Sequence, residues 1–108
     1  MYISDIYNIV DELNNVIGFD WDEGNSRKNI DKHGVSQSEA EQIFFNEPLA
    51  IKDEKHSQQE SRFHAFGHTN KGRLAHITFT LRQNKTLIRV ISARNMHKKE
   101  KEIYGRQH

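Results

Sequence analysis

Apolar positions along this chain recur with two periods, one helical and one extended, and the two are segregated. Residues 4–17 place Ile6, Ile9, Val10, Leu13, Val16 and Ile17 at helical spacing, with Ser4 or Asp5 to cap the start and Gly18 to stop the end. Phe19-Asp20-Trp21 reads as a short extended piece. Asp22 then caps a polar helix that runs to His33 and closes on Gly34 in a left-handed conformation. The clearest local signal is Ser36-Gln-Ser-Glu39, a capping box in which each end residue satisfies the other's backbone N–H. Val35 is placed to staple onto Ala40, and the helix that follows shows Ala40, Ile43 and Phe44 on one face. It stops before Pro48, whose ring disfavours the α conformation at Glu47.

Beyond Pro48 the period shortens to two. Leu49–Lys52 reads as a short strand and Asp53–Gln59 as a polar loop. Three longer strands follow, Arg62–His68, Arg73–Arg82 and Thr86–Arg94, separated by turn-forming breaks at Thr69–Gly72 and Gln83–Lys85. From Asn95 the helical period returns, with Met96, Ile103 and Tyr104 as its buried residues. Helices, then an antiparallel meander, then one closing helix make an α+β fold.

Composition sharpens this picture in three places. The length, 108 residues, fits a single domain, and six Phe, three Tyr and Trp21 supply large side chains for a core. The chain holds no cysteine, which excludes a disulfide scaffold, a thiolate metal site and a cysteine nucleophile. No basic start leads into an apolar run, and no apolar stretch approaches the roughly 20 residues that span a bilayer. A soluble cytoplasmic protein without a membrane partner is expected. Net charge is +1, but the stretch from Arg82 onward carries +6 and residues 1–81 carry −5. A basic end on a nearly neutral chain offers one face to a polyanion, although a solvated Lys-rich helix accounts for the same count.

Phe19-Asp-Trp-Asp22 and Asn29-Ile-Asp-Lys-His-Gly-Val-Ser36 are the first motifs that are not generic. They are followed in order by Glu47-Pro-Leu-Ala50, Glu60-Ser-Arg-Phe63 with Gly67, Gly72-Arg73-Leu74, and Ile91-Ser-Ala-Arg94, then by Glu100 and Tyr104. This series resembles the BrnT toxin family. It covers residues 19–105 as a toxin domain and leaves residues 1–18 as an N-terminal helical extension. The resemblance implies a RelE-like ribonuclease fold and a metal-independent endoribonuclease that inhibits translation and growth without a cofactor. It also implies neutralisation by a cognate antitoxin, contact with operator DNA only through that antitoxin, and a homodimer or an antitoxin-bridged heterotetramer. Three features depart from the family pattern. Asn25 stands where a Lys is frequent, His68 stands where an Arg is frequent, and the first 18 residues precede the usual family start. Those departures support an alternative, a catalytically inactive toxin-like module acting in a DNA-bound repressor complex with its antitoxin.

Metal-free RNA cleavage needs a base for the ribose 2′-OH, charge to stabilise the phosphate, and a proton for the leaving 5′-oxygen. Arginine suits the second task because its planar fork grips two oxygens and stays charged. The candidate catalytic residues are Arg62, Arg94, His68 and Tyr104, and the meander with the family resemblance implies that Arg62 and Arg94 meet. For proton transfer His64, His33 and Glu60 stand beside His68 and Tyr104. Arg73, Arg89, Lys98, Lys99, Lys101, Trp21 and His33 are candidates for binding RNA, each with a structural reading as well: Trp21 as core, His33 as a helix end, Arg73 and Arg89 as framework. Strand alternation puts Arg62, His64, Phe66 and His68 on one face, and Ile88, Val90, Ser92 and Arg94 together with Arg89 opposite. His64, His68 and His76 could hold zinc, but no carboxylate lies between them to orient the rings, and no metal is expected.

Overall fold

A computed structural model describes residues 12–56 and 59–107. Its elements run β1 (Gly18–Phe19), α1 (Glu23–His33), α2 (Gln37–Phe45), β2 (Leu49–Asp53), β3 (Arg62–His68), β4 (Leu74–Arg82), β5 (Leu87–Asn95) and α3 (Lys98–Gln107). The strands form one five-stranded sheet in the order β1-β5-β4-β3-β2. β2 to β5 are the antiparallel meander expected from the period-two pattern. β1 was not expected as a strand of that sheet: Gly18 and Phe19 pair in parallel with Leu87 and Ile88 at its edge. Two residues with no alternation to display leave no periodic trace in a sequence.

The local signals at the helix ends act as their chemistry requires. Ser36 Oγ accepts from the Glu39 N–H at 3.1 Å, and Glu39 Oε1 accepts from the Ser36 N–H at 3.1 Å, closing the capping box. Gly34 has φ +68, the left-handed conformation that ends α1 and costs a residue with a Cβ. α2 ends at Phe45, and Glu47 before Pro48 is pushed to φ +47 rather than simply out of the helix. The β4–β5 turn holds Gln83, Asn84 and Lys85 all at positive φ without a glycine.

One face of the sheet carries the main core. Phe63, Ala65, Ile77, Phe79, Val90 and Ala93 pack there with Val35, Ala40 and Ile43. A Cβ on Gly67 would lie 3.0 Å from Ile43 Cγ2, so the glycine sets how closely α2 approaches β3. Strand pairing places Leu49, Phe66 and Leu74 on the other face, where they form a smaller cluster with Met96 and with Tyr104 of α3. α3 thus covers one end of that face.

Three expectations change. A register shift between Thr78 and Phe79 pairs Thr78 with Ser92 and Phe79 with Val90, leaving Ile91 as an extra residue. This bulge breaks the alternation of β5: Ile88 and Val90 face the core, whereas Ser92 and Arg94 face the α3 side, and Arg89, paired with Thr80, joins them there. Ile103, expected to be buried, is 38% exposed, while Met96 and Tyr104 are buried. Of the helix expected over 4–17, residues 4–11 lie outside the described residues. Leu13 and Val16 pack against the core, and Ile17 is 83% exposed.

Candidate functional site

The α3 side of the sheet carries a line of polar side chains that crosses the strands in order. Asp53 closes β2, His64 lies in β3, His76 in β4 and Arg94 in β5. Asp53 Oδ2 is 2.8 Å from His64 Nε2, and His64 Nδ1 is 2.8 Å from His76 Nε2. Thr78 Oγ1 also reaches His64 Nδ1, at 3.1 Å. His76 Nδ1 faces Glu100 Oε2 of α3 at 3.7 Å and has no hydrogen-bond partner although it is buried. Glu100 in turn grips Arg94 with both oxygens at 2.9 Å, and its Oε1 accepts the His97 N–H at 2.8 Å. His76 is stacked on Phe66 with ring centroids 4.5 Å apart, which fixes its plane. His56 Nδ1 is 2.9 Å from Asp53 Oδ2 and extends the line into solvent.

The environment sorts these groups by charge. Burial pushes the Asp53 carboxyl up, but hydrogen bonds from His64 and His56 outweigh it and hold the group at about 2. Burial raises Glu100 likewise, and the Arg94 guanidinium and the His97 N–H bring it down to about 2. Burial lowers His76 to about 4, helped by the positive charge of Arg94. Burial raises the Tyr104 hydroxyl above its ordinary value. The line therefore runs between two carboxylates with a buried neutral imidazole in its middle.

These positions predict a two-stage loss of stability in acid. His76 is depressed in the fold, so as pH falls through about 6.5 the unfolded chain takes up a proton that the folded chain refuses. Stability is expected to drop by about 3 kcal/mol between pH 6.5 and 4. Asp53 and Glu100 contribute stability above their unfolded values, and it is lost as pH falls further towards 2. Urea melts at half-unit pH steps read this directly. The variant His76→Phe should remove the upper stage and keep the lower one; an unchanged upper stage would assign it to another histidine.

The sequence candidates fall in four places. Arg94 stands in the line itself. Arg62 is paired with Asp53 and Thr80 at the start of β3 and lines a concavity of about 590 Å³ with Lys55, His56, Gln59 and Glu60. His68 and Tyr104 meet, Nδ1 to hydroxyl at 3.0 Å, at the end of β3 covered by α3. Six residue steps separate Arg62 from His68, about 20 Å along a strand, so the four residues do not converge on one point. Lys98, Lys99 and Lys101 are exposed on α3.

The remaining candidates serve the framework. Arg73 donates to the carbonyls of Gly34 and His33 and to Glu39 and Asn95, tying the α1–α2 corner to the sheet. Arg89 is bound to Asp22 and lies near Asp20. Trp21 packs against the core and donates to Glu41 at 2.9 Å. His33 is partly exposed, and its carbonyl is one of the Arg73 acceptors. Asp53 was missed as a site residue because the pattern assigned it to a loop, and His76 entered only as a metal candidate. His68 turns to Tyr104 while His64 and His76 turn to each other, so the three imidazoles do not converge. Pairing the two strands back from the Thr69–Gly72 turn would have placed His64 and His76 on one face.

A family model for the BrnT ribonuclease toxin of type II toxin–antitoxin systems matches residues 21–100. The chain belongs to the BrnT ribonuclease toxin family. Among solved structures, the fold is similar to the Brucella abortus ribonuclease toxin BrnT, with a TM-score of 0.56 and 22% sequence identity over 77% of this chain and 100% of that one. No curated protein sequence matches the chain. In this BrnT-family chain the family match spans every strand from β2 to β5 and ends at Glu100, so it takes in the whole polar line. Among the described residues no helix is long and apolar enough to cross a membrane.

Proposed function

We infer that this chain is an endoribonuclease toxin that cleaves RNA without a metal, inhibits translation and growth, and is neutralised by a cognate antitoxin that also contacts operator DNA. Family membership supports the toxin class, and one observation carries the site. The Arg94 guanidinium, oriented by both oxygens of Glu100, closes a polar line that begins beside the concavity of Arg62. In this reading the toxin domain spans residues 19–105, is RelE-like and acts in the cytoplasm. RNA crosses the α3 side of the sheet from Arg62 towards Arg94. By strand geometry their backbones stand about 16 Å apart, which suits two phosphates rather than one. Arg94 stabilises the phosphate under attack, Arg62 holds a flanking one, and the exposed lysines of α3 extend the track.

In the reaction the ribose 2′-oxygen loses its proton and bonds to phosphorus, the bond from phosphorus to the 5′-oxygen breaks, and that oxygen takes a proton. Arginine supplies charge at phosphorus throughout, so no metal is needed for that task. Purified chain incubated with labelled RNA should therefore yield fragments ending in 2′,3′-cyclic phosphate and 5′-hydroxyl at the same rate with and without EDTA. Cleavage abolished by EDTA and restored by a divalent ion would overturn the metal-free mechanism. Intact RNA at every condition, ribosomes included, would favour the binding-module reading, to which His68 and Asn25 lend sequence support.

A further inference from the structure

Counting protons along the polar line exposes a mismatch. Four groups, Asp53, His64, His76 and Glu100, leave three gaps between them, of 2.8, 2.8 and 3.7 Å. Each gap needs one N–H, because both end groups are carboxylates that only accept. Two neutral imidazoles carry two N–H groups between them. With Asp53 ionised, the His64 proton sits on Nε2, its Nδ1 is a lone pair, and His76 must donate from Nε2. His76 Nδ1 is then a bare lone pair facing Glu100, which is the buried nitrogen without a partner. The third gap is the long one, as a gap between two acceptors should be.

One added proton repairs the whole line. His76 passes its Nε2 proton to His64 Nδ1, so both nitrogens of the charged His64 ring become donors, Nε2 to Asp53 and Nδ1 to His76 Nε2. The added proton is taken by His76 Nδ1, which then donates to Glu100 Oε2. His76 stays neutral in both forms, in keeping with its burial and the nearby Arg94 charge. Thr78 Oγ1, which can donate to the His64 lone pair, can turn to accept instead. Oε2 is the oxygen that holds Arg94 Nη2, so a new donor there competes directly with the guanidinium.

We propose that Asp53, His64 and His76 are positioning residues that form a proton relay, whose loading moves an N–H from one side of His76 to the other and so sets how tightly Glu100 holds Arg94. The assignment rests on Arg94 as the phosphate-binding arginine. A loaded relay shares Glu100 between two donors and frees an Arg94 N–H for phosphate; an empty relay leaves the guanidinium committed to Glu100. The groups facing the relay are Asp53 of β2, Arg62 cross-strand from it in β3, His56 after β2, Thr78 of β4, Arg94 of β5, His97 before α3 and Glu100 within it.

The test is nitrogen NMR of the imidazole and guanidinium groups of the full chain across pH 4–8, with RNA cleavage measured in parallel. As His64 takes up its proton, His76 should pass from the Nε2–H to the Nδ1–H tautomer, and the Arg94 side-chain signal should shift with the same midpoint. His76→Phe, which keeps the ring stacked on Phe66, should cut kcat roughly 10- to 100-fold with little change in KM and flatten its pH profile, as expected of misplaced rather than missing machinery. A His76 tautomer that stays fixed while His64 titrates overturns the relay, as does a wild-type pH profile in His76→Phe. RNA left intact by the wild-type chain would overturn the ribonuclease reading instead, and the NMR titration would still decide the relay.

Discussion

Replacing Arg94 by alanine is expected to abolish growth arrest and RNA breakdown when the chain is expressed without its antitoxin. Removing one preorganised donor aimed at developing charge costs about 10²–10³ in rate. Arg94→Lys should recover little of it, because a point charge cannot reproduce two parallel bonds to a carboxylate or a phosphate. The fold should survive, since α3 remains docked through Met96, Tyr104, Leu49 and Phe66. A circular dichroism melt at equal protein level checks this. Arg62→Ala gives the contrast: if Arg62 grips a flanking phosphate, KM rises and kcat changes less. Wild-type cleavage in Arg94→Ala would remove Arg94 from the site. Arrest that persists with RNA intact would leave a toxin of another mechanism.

The second large effect concerns folding. Phe79 is fully buried, set edge-on to Phe44 at 5.0 Å and stacked on Phe63 at 5.4 Å, and it joins α2 to the centre of the sheet. Phe79→Ala is expected to cost about 3–5 kcal/mol, the lost transfer energy plus a cavity among rings that cannot collapse into it. Total stability for a domain of this size is roughly 5–15 kcal/mol, so the variant should melt on the order of 20 °C lower or fail to accumulate. Scanning calorimetry reads the shift. Phe79→Leu, which keeps most of the volume, should recover more than half of it. A melting temperature within a few degrees of wild type for Phe79→Ala would mean that the aromatic cluster is not the keystone of the core.

The local chemistry of the chain was legible without coordinates. Ser36 and Glu39 cap one another because four consecutive residues suffice to make both bonds, and Gly34 turns left-handed because it alone there lacks a Cβ. The meander was legible too, because alternating apolar residues between turn-forming breaks have one economical pairing. The motifs from Phe19 to Tyr104 identified the family, since side chains needed in order leave an order in the sequence. What escaped were features made by neighbours far apart in the chain. The bulge beside Ile91 turned Arg89 and Arg94 to the same face, and a one-residue slip of this kind is set by pairing with β4, not by the residues of β5 alone. β1 exists only because β5 offers it an edge. The polar line joins residues 53, 64, 76, 94 and 100, whose separations carry no period. Spacing and turn chemistry therefore determined most of the elements and the ordered motifs pointed to the family, while the tertiary fold alone decided which histidine faces which carboxylate, because hydrogen bonds across strands depend on register and register is a property of the assembled sheet.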